Sequence, residues 1–374
     1  MNVFSLKYFG IFFLVISFFS FFNIIYSYYF NLLDNVGNYI LTFGITLIIG
    51  LFLTILKKYK YEKINLFKRI LIVLIGYIIL PIAISIPYYL NIDNLGLINC
   101  YFESISGFTS TGFTIFNELD QLDQTLILWR SSSQWIGGLY FLFSILLLID
   151  LFDENLKRSL TNYISLNSSE IFKQVFKIII IYLSMTILIF VLLKLVNLRS
   201  YDAYNYSLTI ISSGGFLPNN SFDLTFSSDI SKIVLSISML FSFFSLFFIF
   251  NLIFFKKKNI NYLSEDINIL IYILVVIVLS FIFFNYNNNF LNVLVSISSS
   301  VSNIGFSFED VPKNLVFVFL LLVILGGSFF STSSGLRVVK VLTLVKFSLN
   351  NLLSHSKPNQ IYSNKLSLNK TSVN

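Results

Sequence analysis

The chain has 374 residues, 56% of them hydrophobic and 11% charged, with a mean hydropathy of +0.81; one water-soluble core cannot hide that much apolar surface, so the bilayer is its solvent. The net charge of +7 sits in short loops between apolar runs, where the positive-inside rule accounts for it, and nucleic-acid binding is excluded. A single cysteine, Cys100, and a single histidine, His355 in a polar tail, exclude an intramolecular disulfide and a Cys/His metal cluster within one chain.

Apolar runs able to cross about 30 Å of hydrocarbon, roughly 20 residues each, stand near residues 8–31, 38–57, 68–90 and 127–152, then near 173–196, 231–255, 267–285 and 314–349. Lys7 is the only charge before the first run and no small-residue cleavage site follows it, so it reads as an uncleaved anchor. Lys57, Lys58, Lys60, Lys63, Lys68 and Arg69 crowd the second loop, Lys157, Arg158 and Lys173 mark the fourth, and Lys256, Lys257 and Lys258 the sixth. Even-numbered loops and both termini are therefore expected on the cytoplasmic side. The odd-numbered loops carry Asp93, Glu103, Glu118, Asp120, Asp123, Asp223, Asp229, Glu309 and Asp310, which fits either solvated loops or an outer mouth that attracts cations.

Three of those outer connections are too long and too apolar for ordinary loops, and each ends in a Gly-Phe pair. The first runs from Tyr101 through Phe102, Glu103 and Ser104 to Thr111, Gly112 and Phe113; the second from Ser207 to Gly214, Gly215 and Phe216; the third from Val295 to Ile304, Gly305 and Phe306. Aligned on Gly112, Gly215 and Gly305 they lie about 100 and 90 residues apart, each between two apolar runs: an internal repeat of helix, loop and helix. Irregular backbone at membrane depth is tolerated only when buried in protein or lining a watery cavity. A glycine there lets successive carbonyls turn toward a common axis and replace the water shell of an alkali cation, with the negative end of the preceding short helix aimed at it.

On these residues the sequence resembles the Trk/Ktr/HKT superfamily of potassium transporters over nearly its whole length. The most specific matches are Phe102-Glu103-Ser104 through Thr111-Gly112, and the block from Trp129-Arg130 through Gln134-Trp135 to Gly137-Gly138, although Trp129, Arg130 and Trp135 also suit a membrane-interface anchor. The resemblance implies an all-α integral membrane protein, with two N-terminal helices and then helix/pore-loop/helix repeats around a pseudo-fourfold pore. It assigns filter roles to Thr111, Gly112, Phe113, Gly214, Gly215, Phe216, Ile304, Gly305 and Phe306. Potassium is the implied cargo, with sodium the alternative, and no cofactor is expected. Expected divisions are residues 1–60 for the N-terminal pair, 61–155, 156–258 and 259–350 for the three repeats, and 351–374 for a polar cytoplasmic tail.

The last apolar run is interrupted by Gly326-Gly327-Ser328-Phe329-Phe330-Ser331-Thr332-Ser333-Ser334-Gly335-Leu336-Arg337, which resembles the intramembrane gate loop of the family. A Gly/Ser run between two apolar halves should unwind, so that Ser331, Thr332 and freed backbone could line a constriction, with a simple packing kink as the alternative. Gly326, Gly327, Ser331, Thr332, Gly335 and Arg337 are the expected gate residues. Phe329 and Phe330 stand where the family has small residues, and Ser333 and Ser334 replace glycines.

No fourth filter glycine follows Gly305, because the sequence turns polar after Lys346. A fourth repeat supplied by a separate polypeptide, or lying outside this sequence, is one expectation. A non-conducting scaffold, favoured by the two phenylalanines in the gate, is the other. The resemblance further implies a homodimer with a cytoplasmic nucleotide-binding regulatory subunit, in a bacterial inner membrane. No nucleophile and base, nor clustered carboxylates, suggest an enzyme.

Overall fold

The computed structural model describes residues 3–55, 65–92, 95–148, 171–247, 249, 271–274, 276, 278, 290–308 and 316–356. Helices α1 (Val3–Tyr29) and α2 (Val36–Ile55) pack along one another. Two glycines permit the approach: a Cβ at Gly10 would lie 2.8 Å from Thr54, and one at Gly50 2.9 Å from Leu14. Close packing of small residues takes over where lipid removes any hydrophobic drive between helices.

Among the described residues four helices are long and apolar enough to cross a membrane: Lys7–Tyr29, Val36–Ile55, Leu66–Asn91 and Val175–Leu195. They belong to α1, α2, α3 (Leu66–Asn91) and α6 (Ile171–Leu195). Their outer faces leave Phe18, Phe52, Leu74, Ile78, Phe176 and Ile187 exposed, which is the surface a lipid-bathed helix needs. Lys194 closes α6 by donating to the Leu198 carbonyl at 2.9 Å.

Between α3 and α6 stands α5 (Gln124–Leu147), in which every residue except Gln124 and Phe141 is buried. It starts where Asp123 caps it, accepting from the Thr125 amide at 3.2 Å and from Asn35 at 2.9 Å. Its polar residues, from Arg130 through the three serines 131–133 to Gln134, lower its hydropathy and are tolerated because protein rather than lipid surrounds them. Trp129 and Trp135 are buried too, donating to the Ile84 carbonyl and to Thr186, so they are core struts rather than interface anchors. Tyr140 joins the layers, meeting Tyr8 and Phe12 of α1 and Tyr77 of α3.

Three short helices, α4 (Leu97–Phe108), α7 (Ser200–Ser212) and α9 (Phe290–Ser302), are each about 20 Å long at 1.5 Å per residue, less than a membrane crossing. A single helical turn (Phe222–Thr225) leads from α7 toward α8 (Asp229–Phe243). The expected run at 231–255 is interrupted at Phe244, which is extended, and the run at 314–349 divides into α10 (Val316–Ile324) and α11 (Val338–Ser356). Between these halves a hairpin-like loop is closed by two parallel two-residue strands, β1 (Leu325–Gly326) and β2 (Leu336–Arg337). α11 continues past residue 350 because Val345, Leu349, Leu352 and Leu353 keep one apolar stripe. The expected boundaries near 61, 156 and 259, the lysines 256–258, and most of the expected run at 267–285 lie outside the described residues.

Candidate functional site

The three short helices end in the same turn. Ser110, Ser213 and Asn303, each two residues before a repeat glycine, take left-handed φ values of 54°, 55° and 59°. The next residue donates its amide to the carbonyl five positions back: Thr111 to Ser106 at 2.9 Å, Gly214 to Thr209 at 2.8 Å and Ile304 to Ser299 at 3.0 Å. Ser110, Ser213 and Asn303 themselves bond three back, to Gly107, Ile210 and Ser300. This is the Schellman closure of a helix, repeated residue for residue. Gly112, Gly215 and Gly305 follow with φ of 82°, 82° and 93°, where a side chain costs about 1–2 kcal/mol.

The turns meet. A Cβ on Gly112 would lie 2.8 Å from the Gly214 carbonyl oxygen and 3.8 Å from the Gly215 Cα, and one on Gly215 would collide with the Ile304 carbonyl oxygen. Gly305 faces open space. A groove beside it runs from Ser296, Ser300 and Asn303 of the third repeat to Thr111 of the first. The phenylalanines follow the same progression. Phe216 lies under Arg130 of the first repeat, 4.3 Å from guanidinium to ring centre, and Phe306 packs on Tyr206 and Phe222 of the second. Phe113 has no such preceding repeat among the described residues and is 69% exposed.

Each turn is held by different chemistry. In the first, Glu103 of α4 is wholly buried, receives the Arg130 Nε at 2.9 Å, and accepts from the Thr114 hydroxyl and the Ile115 amide, each at 3.0 Å. Arg130 also donates to Thr114 at 2.9 Å. In the second, Gln134 donates to the Gly214 carbonyl at 2.6 Å and accepts from the Phe216 amide at 3.3 Å. In the third, a serine hydroxyl suffices: Gly305 donates to Ser299 at 3.0 Å.

Beneath the first two helix ends lies a small cavity lined by Ser110, Ser213, Thr332 and Ser334, with Tyr77 and Phe108 on its apolar side. The hairpin of the third repeat closes it. Thr332 donates to the Ile211 carbonyl at 2.8 Å, and Asn303 to that of Ser334 at 3.1 Å. Ser331 turns toward Ser333 and the Arg337 guanidinium at 2.9 Å, whereas Thr332 lines the cavity. Gly326 and Gly327 lie against backbone of Ser334 and Phe243. Phe329 and Phe330 are buried anchors: Phe330 stacks on Phe247 at 4.9 Å and gives its carbonyl to the Leu246 amide. Phe330 does so at φ 69°, a costly angle for a bulky residue.

Of the acids in the outer loops, Glu103 belongs to the interior ion pair and Asp123 to the α5 cap. Glu118 is exposed, reaching Asn220 at 3.4 Å. Asp202 pairs with Arg199 at 3.6 Å; burial pushes its carboxyl up, while Arg199 and Asn219 pull it back. Asp93, Glu309 and Asp310 lie outside the described residues. Lys232 of α8 is buried 5.0 Å over the Phe308 ring, a contact that the residues around it in the sequence do not announce.

No family model matches the chain. It is 28% identical over 324 residues to an uncharacterized cation transporter of Methanocaldococcus jannaschii, covering 82% of this chain and 65% of that protein. It is 25% identical over 346 residues to the Trk system potassium uptake protein TrkH of Salmonella typhimurium, covering 87% and 71%, and 25% identical over 348 residues to TrkH of Escherichia coli. The crystal structure of the potassium transporter TrkH from Vibrio parahaemolyticus superposes with a TM-score of 0.78 at 23% identity, covering 98% of this chain and 79% of that one. The two share a fold.

Proposed function

We propose that this chain, a homologue of the Trk system potassium uptake proteins with which it shares its fold, is an integral membrane protein that passes potassium along its three joined glycine turns. One observation carries the reading: three short helices end in identical left-handed turns and bring Gly112, Gly215 and the Ile304 carbonyl into contact. A backbone so arranged offers oxygens that exchange for a cation's hydration shell. The cavity below, with its hydroxyls, is the natural way station, and the hairpin carrying Thr332 is its floor and gate.

The progression from one repeat to the next also argues for a fourth helix-loop-helix unit, seated in the groove between Gly305 and Thr111, with a carbonyl against Gly305 and an aromatic cradle for Phe113. A homodimer, a nucleotide-binding regulatory partner, and cytoplasmic lysine-rich loops and termini belong to the same reading. The first test is rubidium uptake in cells lacking their own potassium uptake, with the chain alone and with a fourth unit coexpressed. Uptake that appears with neither, from protein present in the membrane, overturns conduction. It would favour a non-conducting scaffold, the reading that the anchored Phe329 and Phe330 support.

A further inference from the structure

We infer that Gln134 is a specificity-determining strut of the second turn, kept in register by the Arg130–Glu103 pair one helical turn earlier, and that it sets the preference for potassium over sodium. The inference rests on the conduction reading and deepens it. Gln134 is wholly buried on α5 and clasps the backbone on both sides of Gly215, donating to Gly214 and accepting from Phe216. A neighbouring β-strand would bond in the same way.

The doubled glycine of this repeat now has two separate causes. Gly215 takes φ 82°. Gly214 must lack a side chain because a Cβ there would run into the Gln134 amide group. The carbonyl that Gln134 grips faces the first turn, where a Cβ on Gly112 would come within 2.8 Å of it. Gln134 thus aims an oxygen at the junction of two turns.

Arg130 lies four residues earlier, on the same face of α5, tied to Glu103 and stacked on Phe216. One helix face therefore fixes the first turn through a carboxylate and the second through an amide. At the third turn the Gly305 amide is met by the Ser299 hydroxyl instead. Carbonyl sites discriminate ions through the number, orientation and field of their dipoles, so releasing the Gly214 carbonyl should blur discrimination before it destroys the fold.

Gln134→Met keeps the length of the side chain and removes both hydrogen bonds; Gln134→Glu, when ionised, keeps the acceptor and removes the donor. Hydrogen exchange in a peptide containing Phe216 is read on the purified full chain, and rubidium uptake against sodium competition is read in cells, with the fourth unit where uptake requires it. Gln134→Met should exchange about tenfold faster at Phe216 and let sodium compete about tenfold better. Gln134→Glu should keep the Phe216 amide protected yet lose discrimination too. A packing role alone would leave the sodium ratio of both variants at the wild-type value, and that result overturns the strut. A wild type that takes up rubidium without preferring it to sodium overturns the strut together with the selective pore, whereas wild-type preference retained in both variants overturns the strut alone.

Discussion

The first two glycine turns and the hairpin of the third repeat are both irregular backbone between helices, yet different kinds of contact hold them. The turns are fixed by long side chains from one rigid helix: Arg130 and Gln134 reach out of α5 to Glu103, Gly214 and Phe216. The hairpin is held by short hydroxyls and backbone, with Thr332 on Ile211, Ser328 and Ser333 on the last carbonyls of α8, and Arg337 reaching back to Ser331 and Ser333. Buried charge and amide pairs define one geometry, because a half-satisfied alternative is costly. Hydroxyl contacts, each worth about 1 kcal/mol, can be exchanged one at a time.

The largest effect should come from the fixed part. Arg130→Ala or Glu103→Ala leaves an uncompensated buried charge and should cost about 3–5 kcal/mol, read as a lower unfolding midpoint in detergent. The joint change Glu103→Gln with Arg130→Met should recover much of that loss. Equal loss in single and double variants would break the contrast.

Next come the glycines. Gly215→Ala adds a collision with the Ile304 carbonyl to the backbone cost of about 1–2 kcal/mol, whereas Gly305→Ala, facing open space, incurs the backbone cost alone. Selective rubidium uptake should fall further for Gly215→Ala. The reverse order would place the third turn, rather than the second, at the narrowest point.

On the adjustable side, Thr332→Val removes the donor to Ile211 and should cost only about 1 kcal/mol. Hydrogen exchange should quicken across residues 326–336 and stay unchanged in α5. Acceleration in both would mean the hairpin and the braced turns are one unit.

The smallest effect concerns Asp202. Its carboxyl titrates above the usual range in the folded chain because burial disfavours the charged form. The folded state therefore holds a proton that the unfolded chain releases, and stability should decline slightly as pH rises from about 3.9 through the raised value. Asp202→Asn should flatten that slope in pH-dependent melting.

The membrane helices and the repeat were legible in the sequence because both are matters of composition and spacing: apolar runs mark α1, α2, α3 and α6, and Gly112, Gly215 and Gly305 recur in matched surroundings. Gln134 and the Gly-Gly pair after Trp135 also stood out. That Gln134 would reach the turn of the next repeat was not legible, since it joins residues 80 and 82 positions apart, and no local rule links them. Glu103 read as one of several outer acids because sequence gives charge without depth. Phe329 and Phe330 read as bulky residues where the resemblance expects small ones; the anchoring of Phe330 depends on Phe247 and on the break after Phe243, which periodicity does not announce.

The burial of α5 has a consequence for how the chain is made. A helix with an arginine in its second turn enters a bilayer less readily than an apolar one, and α5 carries Gln134 and three serines besides. Its counter-charge, Glu103, is synthesised 27 residues earlier, so α4 leaves the ribosome before α5. Chain order supplies the acid before the base. Moving the carboxylate after the arginine, with Glu103→Gln and a new acid on a later helix, should leave α5 outside the membrane in a glycosylation-tag insertion assay, even if the finished fold could accommodate the swap.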